Sequence, residues 1–179
     1  MAKIIFVSGP CGCGKSTFAN AYAQHLLYTQ KKTVYVIHGD DFHKGFIEPL
    51  GITPEPFDLV PWEDILSFNW NCMLTTAERA LRLDVDVILD YIIEDELPRV
   101  QALAQRYQAA LYYLVLTAEA ETLTQRIRQR GDVELIERSL FLKQKLEAMP
   151  ENQGHLLDNT HKNPKELAKT LDLEAFRVA

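Results

Sequence analysis

The chain has 179 residues, 47% of them hydrophobic and 25% charged, with a formal net charge of −6. That length supports one domain with a real core, and the composition is ordinary for a soluble globular protein. The acidic balance weighs against nucleic acid as a partner, apolar runs such as 109–116 are too short to span a bilayer, and three cysteines do not build a disulfide framework.

Residues 3–7, Lys-Ile-Ile-Phe-Val, read as a buried parallel strand. Gly9-Pro10-Cys11-Gly12-Cys13-Gly14-Lys15-Ser16 follows, a full match to G-x-x-x-x-G-K-[ST], and a helix is expected from Thr17 onward. Glycines let the backbone approach an anion closely. A concave row of N–H groups then cradles phosphates, with the helix dipole aimed at them. Lys15 is placed to reach the β- and γ-phosphates, and Ser16 offers a hydroxyl to Mg²⁺. All of Gly9 to Thr17 is therefore expected to bind a nucleoside triphosphate. Cys11 and Cys13 lack the second pair that a zinc site needs. They are read as fillers of the variable loop positions, open to oxidation.

A second strand is expected at 33–37, running into His38-Gly39-Asp40-Asp41-Phe42-His43. In a parallel sheet wrapped by helices, ligands bind beyond the carboxyl ends of the strands. A carboxylate here can take the proton of a substrate hydroxyl that attacks phosphorus. Asp40 is the first choice and Asp41 the second; one of them capping the next helix is the alternative. His43 is assigned to substrate binding, with Asp40 and Asp41. His38, Asp40, Asp41 and His43 also admit a metal-cluster reading, which no further ligand group in the sequence supports. Residues 42–61, with four prolines and two glycines, read as a substrate-binding flap. A helix is predicted over 62–83.

The third strand, 86–89, ends at Asp90, the pattern of an acid that holds Mg²⁺ through water; a strand-terminal Asp opening a turn is the alternative. Asp84 and Asp86 are read as solvated. Helices at 101–107 and 165–171 and strands at 111–116 and 156–157 continue the alternation. Residues 121–149 read as a helical pair hinged near Gly131-Asp132, able to close as a lid. Arg126 and Arg130, four apart, share one helix face. Arg130 suits the charge that develops on a departing phosphoryl group, and Arg126 suits stacking on adenine. A solvated face paired with Glu119 or Glu121 is the alternative. The turn at 158–164 is read either as the edge of a base pocket or as a plain turn.

The loop at 9–16, the Gly39-Asp40 pair after the second strand and the Arg126/Arg130 pair together resemble the P-loop kinases of small metabolites: gluconate kinases, shikimate kinases and chloramphenicol phosphotransferases. The stretch 125–130, followed by 142–150, is most similar to gluconate kinases. The resemblance implies an α/β P-loop NTPase fold of three layers, with a five-stranded parallel sheet of order 2-3-1-4-5 and a helical lid. It also implies Asp40 as base, Arg126 against the adenine and Arg130 as lid arginine. Leu89-Asp90-Tyr91-Ile92 is closer to the antibiotic phosphotransferases, and the shikimate kinase glycine cluster is missing, so the acceptor does not transfer.

The sequence thus predicts a single domain over 1–179. Its expected activity is ATP- and Mg²⁺-dependent transfer of the γ-phosphoryl group to a hydroxyl of a small metabolite, such as a sugar acid. A nucleotide or nucleoside kinase and a non-kinase ATP-binding switch are the rivals. Residues 42–72 hold no Arg and one Lys, which weighs against a phosphorylated acceptor. The GTP-specific N-K-x-D pattern is absent, which favours adenine mildly and leaves GTP open. No signal peptide is read at the start, so a cytoplasmic monomer or homodimer without membrane or nucleic-acid partners is expected.

Overall fold

The structure, a computed structural model, describes residues 2–46 and 60–178. Five strands form its sheet: β1 Lys3–Ser8, β2 Val34–His38, β3 Asp86–Asp90, β4 Ala110–Thr117 and β5 Leu156–Asp158. They run parallel in the order β2-β3-β1-β4-β5. The central strands are apolar nearly throughout because both faces of the sheet are covered.

Side-chain parity assigns the two faces. On one, Ile4, Phe6, Val87, Leu89, Tyr113 and Val115 pack against Trp70, Met73 and Ala77 of α3 (Trp62–Leu81) and Val100 and Leu103 of α4 (Leu97–Arg106). On the other, Ile5, Val7, Ile88, Leu114 and Leu116 meet Phe18, Ala19, Tyr22 and Leu26 of α1 (Lys15–Gln30) and Leu167 and Ala168 of α7 (Pro164–Thr170). Each large apolar side chain buried this way contributes about 1.5–3 kcal/mol. The result is a three-layer P-loop NTPase fold. Among the described residues, no helix is long and apolar enough to cross a membrane.

One expectation changes. Asp86 is buried, not solvated: it accepts from the Lys3 backbone N–H at 2.9 Å and pairs with Lys32 at 3.0 Å, which satisfies a carboxylate at the start of a central strand. The pair α5 (Ala120–Arg130) and α6 (Ile136–Ala148) is rooted in the protein, with Leu123, Ile127, Ser139, Leu142 and Leu146 all buried. What projects is the turn between them, where Gly131 at φ 90 closes α5. Most of the flap expected at 42–61 lies outside the described residues.

Candidate active site

β1 runs into the glycine-rich loop, which runs into α1. Gly9 has φ 141, and a Cβ there would overlap the carbonyl oxygen of Leu116 on β4, so only glycine passes this point. Beyond it, every carbonyl from Gly9 to Cys13 is engaged. Lys15 Nζ donates to the oxygens of Gly9 (2.9 Å) and Pro10 (3.1 Å). Ser139 of α6 donates to Cys11 (2.7 Å), Arg126 of α5 to Gly12 (3.4 Å), and Asn159, beyond β5, to Cys13 (2.7 Å). α1 starts at Gly14 with no side-chain cap, leaving its first-turn N–H groups without helical partners. With the carbonyls bound elsewhere and the helix end uncapped, the loop is an anion nest.

Lys15 sits within this nest. Burial works to lower its pKa, but Cys13, Cys11, Asp90 and Asp40 outweigh it, so the pKa is raised and the side chain stays cationic. Cys13 is fully buried, and burial pushes its thiol up, so the expected oxidation sensitivity does not extend to it. Cys11 is only partly buried.

The loop opens into a cleft of 590 Å³ whose walls include Lys15, Ser16, Thr17, Asp40, His43, Tyr91 and Arg130. Asp40 is exposed at the first position of α2 (Asp40–His43). Gly39 before it is wedged under Tyr91 and Met73: a Cβ there would overlap the Tyr91 ring and lie 2.6 Å from the Met73 sulfur. The turn is thereby fixed with Asp40 on the cleft. Neither aspartate caps α2 through its side chain. Asp41 is not among the cleft's lining residues; it pairs with Lys44 at 2.6 Å, and that hydrogen bond holds its carboxyl below the usual range.

Asp90 ends β3 beside Val7 and is 3% exposed, with Oδ2 2.6 Å from His38 Nδ1. None of the described residues donates to its other oxygen. Ser16 is exposed at the start of α1. A hydroxyl and a carboxylate are the hard oxygen donors that Mg²⁺ prefers, so these two residues fit that ion. The metal-cluster reading of His38, Asp40, Asp41 and His43 finds no support: no group of three or more His, Cys, Asp or Glu among the described residues is arranged to hold a metal.

A second cavity, of 280 Å³, adjoins the loop and is lined by Gly12, Thr17, Arg126, Asn159, Lys162 and Pro164, among others. The turn after β5 therefore does edge a pocket. Arg126 spans it, donating also to the backbone oxygens of Asn159 (2.9 Å) and Thr160 (3.1 Å). Arg130 borders both cavities and is paired with Asp132 at 2.5 Å. Among the described residues, neither arginine pairs with Glu119 or Glu121.

Sequence reasoning missed two groups beside the cleft, Asn69 and Glu94. Asn69, fully buried on α3, donates to Tyr91 Oη (3.3 Å) and approaches His43 Nδ1 (3.3 Å), while its own Oδ1 has no partner. Glu94 bridges Arg138 (2.6 Å) and Lys145 (2.5 Å) on the rim. The spacing of Leu66, Asn69, Trp70 and Met73 on one helical face was the available signal for the first.

A family model described as an AAA domain matches residues 4–170. The chain belongs to that family. No curated protein sequence matches this AAA domain chain. Solved structures share its fold. The tunicamycin resistance protein of Deinococcus radiodurans has a TM-score of 0.60 and 17% identity, over 94% of this chain and 92% of that one. The Mycobacterium tuberculosis APS kinase, in complex with AMPPNP and APS, gives 0.58 and 17%, over 94% of each chain. A gluconokinase from Sinorhizobium meliloti gives 0.55 and 17%, over 98% and 89%. At such identities the likeness shows the fold alone.

Proposed function

We propose that the protein is an ATP-dependent kinase that transfers the γ-phosphoryl group to a hydroxyl of a small metabolite. One observation carries this reading: an exposed carboxylate, Asp40, shares a single cleft with Lys15 and the uncapped start of α1. A nucleotide switch needs the nest but has no use for a solvent-facing acid across from it.

In this reading Gly9 to Thr17 hold the phosphates, and Arg126 lies against the base. Asp40 accepts the proton of the substrate hydroxyl as its oxygen bonds to the γ-phosphorus and the bond from phosphorus to the bridging oxygen breaks. Arg130 exchanges Asp132 for the developing charge, and the helical pair at 121–149, with its turn at 131–135, acts as the lid. Ser16, and Asp90 through water, would hold Mg²⁺, which neutralises phosphate charge when bound.

Trp62, Leu66, Trp70 and Tyr91 offer the acceptor an apolar wall, with Asp40 and His43 at its polar end. A hydroxylated metabolite with one apolar face fits, and a sugar acid remains within the class through Lys44 and Arg138. A phosphorylated acceptor is less well served: its two charges need both cations drawn away from Asp41 and Glu94, whereas a single carboxylate needs only one. ATP consumption with Mg²⁺ is to be measured against polyols, sugar acids, nucleosides and nucleotides. Turnover stimulated by one hydroxylated class, abolished in Lys15→Ala, supports the proposal. Slow hydrolysis indifferent to every compound overturns it in favour of the switch.

A further inference from the structure

His38 was left without a role once the metal cluster failed, yet it occupies a defined place in a chain of side chains. β2 and β3 pair in parallel with His38 opposite Asp90, so both side chains leave the sheet on the same face. α1 covers that face. Its Asn20 places Nδ2 3.3 Å from His38 Nε2, and His38 Nδ1 lies 2.6 Å from Asp90 Oδ2. With the Asn20 amide donating to Nε2, the imidazole proton sits on Nδ1 and is given to the carboxylate. Asn20 lies four residues after Ser16, one helical turn along the same face of α1. The chain Asn20–His38–Asp90 therefore ties the helix that presents the Ser16 hydroxyl to the strand end that presents Asp90.

We propose that His38 is a positioning residue: it fixes the Asp90 carboxylate relative to Ser16 in the arrangement that receives Mg²⁺. This rests on the reading of Asp90 as the acid that holds the ion through water. The chemistry of the pairing suits that task. A Lys or Arg partner would neutralise the carboxylate and compete with the cation. A neutral imidazole N–H orients one oxygen and leaves the charge in place. Outer partners of this kind typically govern metal affinity about 10- to 100-fold.

The test is calorimetric binding of a non-hydrolysable ATP analogue across a Mg²⁺ titration and in EDTA, together with thermal melting. His38→Ala raises the Mg²⁺ concentration for half-maximal enhancement about tenfold, while affinity in EDTA stays native. His38→Asn places an amide where Nδ1 stood and restores most of the native Mg²⁺ dependence. His38→Gln places its amide where Nε2 stood and does not. Equal losses with and without Mg²⁺, or an Asn variant no better than Ala, overturn the proposal. Should His38→Ala melt too early to measure, the contrast between the Asn and Gln variants decides. Asp90→Asn separates the two readings. If it leaves the Mg²⁺ dependence native, the assignment of Asp90 fails. If it shifts that dependence and no His38 variant does, only the role of His38 fails.

Discussion

The two ends of the cleft are built differently. At the nucleotide end, backbone does the binding, and side chains from three distant elements hold the backbone in shape: Ser139, Arg126 and Asn159 each take one loop carbonyl. At the acceptor end, side chains face the cleft directly, and several are exposed, Asp40 and Trp62 among them. The nucleotide end is thus held in shape by the rest of the fold, whereas the acceptor end presents side chains directly to the cleft. Perturbations should therefore divide, with nucleotide-end changes altering affinity and acceptor-end changes altering turnover.

Asp40 offers the largest expected effect. Asp40→Asn lowers kcat by about 10²–10⁴-fold and leaves ATP affinity by calorimetry native. Asp41→Asn stays near native in both, because an exposed pair with Lys44 contributes little. An Asp41 variant that loses turnover while the Asp40 variant keeps it would reverse the assignment of the base.

The two arginines come next. Arg130→Ala lowers kcat by about 10² and leaves the melting temperature of the free protein near native, since an exposed pair with Asp132 adds little stability. Arg126→Ala acts the other way: it weakens ATP about tenfold and lowers the melting temperature, because three backbone oxygens lose a charged donor. Equal kinetic and thermal profiles for the two variants would erase the distinction between a moving and a fixed guanidinium.

The loop and the strands were readable because local spacing carries them: a motif, a period, a strand end. The ties that shape the nest were not. Arg126, Ser139 and Asn159 lie 114, 128 and 146 residues from the carbonyls they bind, so no local pattern marks them. Arg126 was read as a stacking group or as part of a solvated face because its side chain can be read from sequence but its acceptors cannot. Asp86 failed for the same reason: a charged residue at a strand start reads as solvated until a lysine from the edge of another element is found against it. The acceptor wall was hidden more completely. Asn69 lies inside a helix whose pattern announces packing, and only the fold brings Tyr91 and His43 to it.

Gly39 tests whether the acceptor end has any rigid part. Its missing side chain lets Tyr91 and Met73 close over the turn that delivers Asp40. Gly39→Ala is expected to destabilise the fold by about 1–3 kcal/mol through overpacking, read by denaturant unfolding. The surviving folded protein should bind ATP normally but turn over slowly, because the carboxylate is displaced. Normal turnover in that variant would mean that Asp40 finds its place without the wedge.

Glu94 gives the smallest effect and the sharpest pH signature. It joins the segment after β3 to α6 through Arg138 and Lys145. Burial works to raise its pKa, but Lys145 and Arg138 overcome it and hold the carboxyl below the ordinary value of 4.5. A folded-state pKa below the unfolded one means that unfolding takes up a proton in acid. The stabilisation is therefore complete above the ordinary value and lost as pH falls through the lower, folded one. Glu94→Gln should cost no more than about 1 kcal/mol at neutral pH. The gap between native and variant melting temperatures should close on acidification within that window. A gap that persists to lower pH would assign the difference to packing of the Gln side chain. One that is absent at neutral pH would mean that the ion pairs of Glu94 add nothing to stability.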